Sequence, residues 1–421
     1  MRDKLFVAFR SRNYRLYFFG QSLSLIGTWM QRTAVYWLVY EISDSAFILG
    51  ITAFCAQFPS FIFSMLGGVV SDRYDRFRVL LTTQIASLFQ ALALALIVYQ
   101  GTYALWHILL LTAVLASINA FDVPARQAMV YDMVAHKEHL PNAIALNSSM
   151  VNGARLIGPA MAGVVLEKFG AEICFLSNAF SFLAVIVSLL FMRLPPFVPK
   201  ERLTTIRADL KEGFYYLRTT PEINKVMLML AGISLISLPF VTLLPVYARE
   251  IFEGDASTFG WLNTFVGVGA VSGALFLASM RPGTNLKKVL FRSTMLFAFG
   301  LIGFAYMRSF PLSLVFVTIA GFGMMAQTTI SNTLIQTTVA PVMRGRVISY
   351  YAMAFFGMQP IGGLLVGSAA YAIGAPLTML LEGLATLAIV IAFFPFLRRD
   401  ILFRRQRMKI RQMQARVIEN T

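Results

Sequence analysis

Residues 67–78 read Gly67-Gly68-Val69-Val70-Ser71-Asp72-Arg73-Tyr74-Asp75-Arg76-Phe77-Arg78. This short polar, basic stretch lies between two apolar runs, 46–70 and 79–99, each long enough to cross a bilayer core of about 30 Å as a helix of about 20 residues. The backbone of such a run must be helical, because lipid offers its N–H and C=O groups no partner. The stretch therefore reads as a loop turning the chain back into the membrane.

The same alternation continues in both directions. Upstream lies a run at 14–40; downstream lie 104–131, 142–166 and 172–194, then, after a polar stretch, 225–249, 257–280, 286–307, 311–338, 345–371 and 376–397. Twelve spans are expected. Hydrophobic residues make up 57% of the 421-residue chain and charged residues only 13%, whereas a soluble domain needs about 25% charged residues to cover its surface. Most of this surface must face lipid. The formal net charge of +16 would suggest nucleic acid in a soluble protein. Here the basic residues sit between apolar runs, so they read as topology signals and anionic-lipid contacts, with no nucleic-acid partner.

Loop charge alternates along the chain. One set carries Arg73, Arg76 and Arg78; His136 and Lys137; Lys200, Arg202, Arg207, Lys211 and Arg218; Arg281, Lys287 and Lys288; and Arg344 and Arg346. The other set carries Glu41 and Asp44, the uncharged 100–104, and Glu250, Glu253 and Asp255. Positive charge stays inside, which places both termini in the cytoplasm of a multi-pass plasma-membrane protein, the bacterial cytoplasmic membrane. The basic N-terminus (Arg2, Lys4, Arg10, Arg12, Arg15) leads into a run too long for a signal h-region and is read as a retained first span.

The stretch 195–224, with Pro195, Pro196 and Pro199 and an amphipathic segment from Ile206 to Arg218, divides the chain into six-span bundles, 1–194 and 225–397. The tail, 398–421, is basic and is expected on the anionic cytoplasmic leaflet. The halves echo each other: Gly158-Pro159 and Gln359-Pro360, Phe169-Gly170-Ala171 and Ile373-Gly374-Ala375, Ser45 to Gly50 and Ser257 to Gly260, at offsets of about 200 residues. Internal duplication of this kind is typical of transporters, whose substrate site lies between the repeats near the midplane.

With the duplication in view, residues 67–78 resemble the signature loop of the major facilitator superfamily: a Gly, an Asp, then a basic cluster. The resemblance implies a twelve-helix, all-α fold of two pseudo-symmetric bundles, and a cytoplasmic latch formed by Gly68, Asp72, Arg73 and Arg76 that is made in one conformation and broken in the other. Gly68 is expected to permit close helix approach. A basic loop that only sets topology is the plainer alternative. Asp75 stands where the pattern usually has Gly. Arg344-Gly345-Arg346 resembles the corresponding loop of the second half, and the loop near Arg281 lacks the Asp.

Span five, Gly153-Ala154-Arg155-Leu156-Ile157-Gly158-Pro159-Ala160-Met161-Ala162-Gly163, resembles the packing signature of facilitator-type exporters. Small residues (Gly153, Gly158, Gly163) admit close helix contact and Pro159 bends the helix. Asn13 to Phe18, Gly27 to Gln31 and Asp122-Val123-Pro124-Ala125-Arg126-Gln127 extend the resemblance to the enterobactin-exporter-like transporters, also called transmembrane secretion effectors. That subgroup implies proton-coupled export of small molecules, including siderophores and drugs.

Ionisable residues at membrane depth each cost free energy and are the functional candidates. Asp122 and Arg126 are four apart on one helical face. With Arg155 and Arg32 they are either an ion-pair set holding the first bundle together or a positive cavity for an anionic or catechol-like substrate. Trp29, Gln31, Gln327, Asn332 and Gln336 are further lining candidates. Asp122 and Glu382 are the two candidates for proton coupling. No metal-ligand spacing joins the histidines to Cys55 and Cys174, no phosphate-binding Gly-Lys-Ser/Thr loop is present, and no hydrolase motif is found. No metal, cofactor or enzymatic activity is expected, and the chain reads as a monomer. The rival readings are an importer or lipid flippase of the same fold, and a receptor or scaffold that moves nothing.

Overall fold

A computed structural model describes residues 6–101, 103–194, 206–281 and 283–396. The central prolines and the basic tail lie outside these residues. All regular structure described is helical: α1 Arg12–Ser43, α2 Ala46–Arg73, α3 Arg76–Tyr99, α4 Leu105–Met133, α5 Leu140–Phe169, α6 Ala171–Leu190, α7 Ile206–Thr219, α8 Pro221–Ile236, α9 Ala256–Ala278, α10 Leu286–Ala305, α11 Phe310–Thr338, α12 Arg344–Ala352, α13 Met358–Ile373 and α14 Ala375–Ala392, with short 3-10 and π turns between some of them. Among the described residues, eleven helical segments are long and apolar enough to cross a membrane, counting α8 with its continuation to Ile251, and α12 with α13, as single segments. Helix α1 is not one of the eleven, although its 32 residues are long enough. Large apolar side chains face outward, among them Phe89 (65% exposed), Leu275 (65%) and Phe180 (62%). An aqueous surface would not tolerate so many; lipid does.

The hydroxyls show how polar residues persist in these helices. Thr28, Thr33, Thr52, Thr112 and Thr318 each donate to the carbonyl four residues back, at 2.6–2.9 Å. A side chain with no water available closes onto its own helix.

Two expected spans are interrupted. The run 225–249 is helical only to Ile236. It then passes through a 3-10 segment, Leu238–Leu243, and a π turn, Tyr247–Ile251. Pro239 and Pro245 remove backbone donors there and force the departure. The run 345–371 carries a π turn at Met353–Gly357 between α12 and α13. Both breaks border the central cavity described below.

The duplication seen in the sequence has a geometric counterpart. Gly170 joins α5 to α6 and Gly374 joins α13 to α14, each with φ +86°. Only glycine takes that backbone conformation without strain.

In the first half, α1 packs on α5 and α6, α2 on α4, and α3 on α4 and α6. In the second half, α10 packs on α11 and α14, and α9 on α11. Among the described residues, the most extensive contacts between the halves are α2 with α13 and α5 with α9. Both crossings are made by small residues. A Cβ added at Gly367 would sit 2.6 Å from the Ala46 carbonyl oxygen and 2.7 Å from Gly50 Cα; one at Gly163 would sit 3.1 Å from Gly260 Cα. Backbones meet there directly, which is how helices associate where burial from water supplies no drive.

Candidate functional site

A central cavity of about 280 Å3 lies between the halves. Helix α1 supplies Trp29, Arg32, Thr33 and Tyr36, whose spacing of three, four and seven puts them on one helical face. Helix α5 supplies Arg155 and Pro159, α9 supplies Phe259, Asn263 and Val266, and α11 supplies Met324, Met325 and Thr328. Gln57 comes from α2. The two helix breaks complete the wall, one with Leu238 and Val241, the other with Phe355 and Phe356 and, just beyond it, Gln359. Both halves of the chain therefore contribute.

Arg32 and Arg155 share one aromatic partner: their guanidinium carbons lie 5.2 and 5.7 Å from the centre of the Trp29 ring. Arg32 also lies 6.0 Å from the Tyr36 ring. An aromatic face attracts a cation through its quadrupole. The cavity lining contains these two cations and no carboxylate.

An all-helical chain with these spans and a cavity shared by two halves narrows the family comparison. Residues 4–414 match the transmembrane secretion effector family. The chain belongs to that family. It is a secondary transporter of the major facilitator type, in the cytoplasmic membrane. The staphyloferrin A transporter of Staphylococcus aureus is 28% identical over 91% of this chain and 96% of its own length. The multidrug efflux pump Tap of Mycolicibacterium fortuitum is 24% identical over 86% and 90%, and the enterobactin exporter EntS of Shigella boydii is 25% identical over 84% of each. Among solved structures, a bacterial homologue of the human lysosomal transporter Spinster, inward-facing and unoccupied, superposes with a TM-score of 0.70 at 16% identity, covering 93% of this chain and 98% of that one. The family and these relatives are transporters, and the likeness to the solved structure shows the same fold.

The structure separates the residues that the sequence grouped. Arg32 and Arg155 line the cavity; Asp122, Arg126, Gln31, Gln327, Asn332 and Glu382 are not among its lining residues. Asp122 is buried beside α3. It accepts from Gln84 Nε2 at 2.7 Å and Thr83 Oγ1 at 3.0 Å, and Arg126 Nε lies 3.4 Å from its other oxygen. Gln31 sits in a second polar knot. Its amide donates to Gln90 at 3.1 Å and accepts from Asn178 at 2.8 Å, while Gln90 donates to the Leu111 carbonyl at 3.0 Å. That knot ties α1, α3, α4 and α6 together. Asn332 accepts from Gln336 at 3.0 Å. Among the described residues, neither amide atom of buried Gln327 and neither carboxylate oxygen of buried Glu382 has a hydrogen-bond partner.

The glycines of the family's signature loop need one correction. Gly68 has nothing within 4 Å of where a Cβ would stand; Gly67 is the one pressed against the backbone of Ala120 and Phe121 in α4. Neighbouring helical positions lie about 100° apart, so only one of the two can face α4. In span five, Gly158 meets Trp29 and Ile26, and Gly163 meets Gly260, but Gly153 faces open space. Asp72 and Arg73 occupy the last turn of α2. Arg76 bonds Asp132 at the end of α4 at 2.8 Å. Asp75, the departure from the pattern, caps α3 by accepting from the Phe77 N–H at 3.0 Å. It thus replaces the usual glycine with a helix start. Arg346 bonds Glu212 of α7 at 2.8 Å, and Tyr216 accepts from the Ala340 N–H at 3.2 Å. The amphipathic helix between the halves is therefore docked on the second half.

Several lining residues went unnamed in the sequence reading. Thr33 and Tyr36 were legible from their spacing to Trp29 and Arg32. Gln57, Asn263 and Gln359 are single polar residues in apolar runs, a pattern shared by the many Ser and Thr residues that only bond their own helix.

Proposed function

We propose that the chain exports a small molecule through the cavity by alternating access, driven by the proton gradient. The observation that carries this is a cavity lined by both halves, with contacts between the halves toward the acidic loops. The contacts between halves gather at the ends of helices that lead to the acidic loops. There Tyr40 donates to Glu250, Trp37 stacks on Phe259 with ring centres 6.1 Å apart, and the glycine crossings of α2 with α13 and α5 with α9 close the path. With the positive-inside rule, that sealed face is the outer one, and both termini, the latch loop and α7 lie inside. On this reading substrate is loaded from the cytoplasm.

In this reading α1 is the twelfth span, since 32 helical residues at about 1.5 Å each exceed the bilayer core. Residues 1–194 and 225–397 are the two moving bundles of a monomer, and 195–224 links them. The Asp72 and Arg73 end of α2 is the inner latch, made in one state of the cycle and broken in the other. Two of the relatives are named for export, which supports outward traffic. Glu382 is the favoured coupling group. It can carry a proton, and among the described residues nothing hydrogen-bonds its carboxylate. Asp122, held by three donors, is the structural member of the pair of candidates.

The test is uptake of a small substrate panel into inside-out vesicles with an imposed, collapsible proton gradient. Accumulation that vanishes with the gradient supports export. Accumulation only with the gradient reversed refutes it. A Glu382→Gln variant that binds substrate but no longer accumulates it supports Glu382 as the coupling group; gradient-driven transport by that variant would assign the role elsewhere.

A further inference from the structure

We propose that the cavity selects ring-bearing organic anions, clasping the anionic group between Arg32 and Arg155 and packing the ring against Trp29. This rests on the reading of the cavity as the substrate path and names the class of cargo.

The argument starts from the cost of the two charges. An arginine at membrane depth is expensive and is kept there only when something answers it. Within the first bundle an acid does so for Arg126, whose Nε lies 3.4 Å from Asp122. No ion pair is found for Arg32 or Arg155 among the described residues, and the lining between them holds no Asp or Glu. Instead both guanidinium groups lie close to the Trp29 ring. A cation–π contact offsets only part of the cost of a desolvated charge. The remainder is available to an incoming anion. Guanidinium suits that task, because its planar fork binds carboxylate, phosphate or catecholate oxygens in pairs.

The rest of the wall specifies the body of the ligand. Tyr36, Phe259, Phe355 and Phe356 surround the arginines, and the other polar side chains, such as Asn263 and Gln359, are neutral. A flat apolar ring packs well on such a surface. A cavity of about 280 Å3 lies at the lower end of small-molecule sites, which suits one or two fused rings with an acidic group. A lipophilic cation would meet two like charges and no acid, and is excluded.

The experiment compares probes that share a ring and differ in charge. The full chain in nanodiscs of zwitterionic lipid is titrated calorimetrically with 2-naphthoate, 2-naphthamide and tetraphenylphosphonium. Naphthoate should bind at least about tenfold more tightly than naphthamide, a difference of about 1.4 kcal/mol, and tetraphenylphosphonium should bind least. Arg155→Gln and Arg32→Gln should each lower naphthoate affinity about tenfold or more while leaving naphthamide within about twofold, which also shows that the variants are folded. Lysine at either position should restore part of the loss. Equal affinity for naphthoate and naphthamide, or a charge preference that survives both glutamine variants, would overturn the proposal. So would loss of the preference when phosphatidylglycerol is added, since the site would then belong to a lipid headgroup. Binding needs no gradient, so failed vesicle uptake with intact naphthoate selectivity would refute the transport reading alone. Gradient-driven uptake of tetraphenylphosphonium by the wild type would refute the anion site alone.

Discussion

Replacing Asp122 by Asn tests whether this carboxylate holds the first half together or works in transport. The side chains of Asp122 and Arg126 are 5% and 17% exposed, with Nε 3.4 Å from Oδ2. Gln84 and Thr83 donate to the other oxygen at 2.7 and 3.0 Å. Asparagine keeps the shape but removes the charge, so Arg126 is left buried without its counter-ion. Removing one member of a buried pair costs about 3–5 kcal/mol. Arg126 keeps some access to solvent, which puts the expectation near the lower figure. That corresponds to a fall in apparent melting temperature on the order of 5 °C. The double variant Asp122→Asn with Arg126→Gln removes the stranded charge and should recover most of the loss. The assay is thermal unfolding of purified protein in one detergent, with gradient-driven uptake measured alongside. If Asp122→Asn melts with the wild type and still abolishes uptake, the structural assignment fails and Asp122 returns as the coupling group.

Gly67→Leu should prevent correct packing of α2 on α4 and sharply reduce folded yield, whereas Gly68→Leu should fold normally, as size-exclusion profiles of the two would show. Gly367→Val should wedge α13 away from α2, because the backbone of Ala46 and Gly50 cannot give way. A cysteine at Tyr36 in a protein lacking Cys55 and Cys174 should then react faster with an impermeant maleimide added from outside. Asp255→Ala should cost about 1 kcal/mol by removing the cap of α9, where Asp255 accepts from the Thr258 N–H at 3.0 Å. That hydrogen bond holds the Asp255 carboxyl below its usual range. Its contribution is therefore fully present above the ordinary carboxylate range and lost as pH falls through the lowered value, and acid melting curves of wild type and Asp255→Ala should converge there.

The membrane fold was legible because its signals are redundant. Length, missing charge and alternating loop charge all point to the same spans, and a glycine joint in each half repeats a backbone conformation only glycine accepts. The breaks at Leu238–Leu243 and Met353–Gly357 were less legible. Prolines mark the first. The second, Met353-Ala354-Phe355-Phe356-Gly357, reads as ordinary helix, since a π turn depends on neighbouring packing more than on local propensity.

The site was legible only in part, for a physical reason that also explains its chemistry. An ionisable residue in an apolar run announces a cost, and the sequence shows the cost without showing what offsets it. Arg126 and Arg155 are equally improbable as membrane residues, yet Arg126 is answered by an acid one helical turn away and Arg155 by an aromatic ring contributed by another helix. The first arrangement is closed: its charges are balanced, and disturbing either partner destabilises the fold. The second is open, with positive charge facing a cavity that contains no acid. Transport requires a site whose energy changes when the cargo arrives and leaves, and a balanced pair has little left to change. On the proposed reading, the open pair, Arg32 and Arg155, is where cargo binding is felt. Arg155 lies on the same helix α5 as Gly163, which crosses α9 at Gly260. On that reading, a ligand that draws the two arginines together pulls α1 and α5 against the crossing at Gly163 and Gly260.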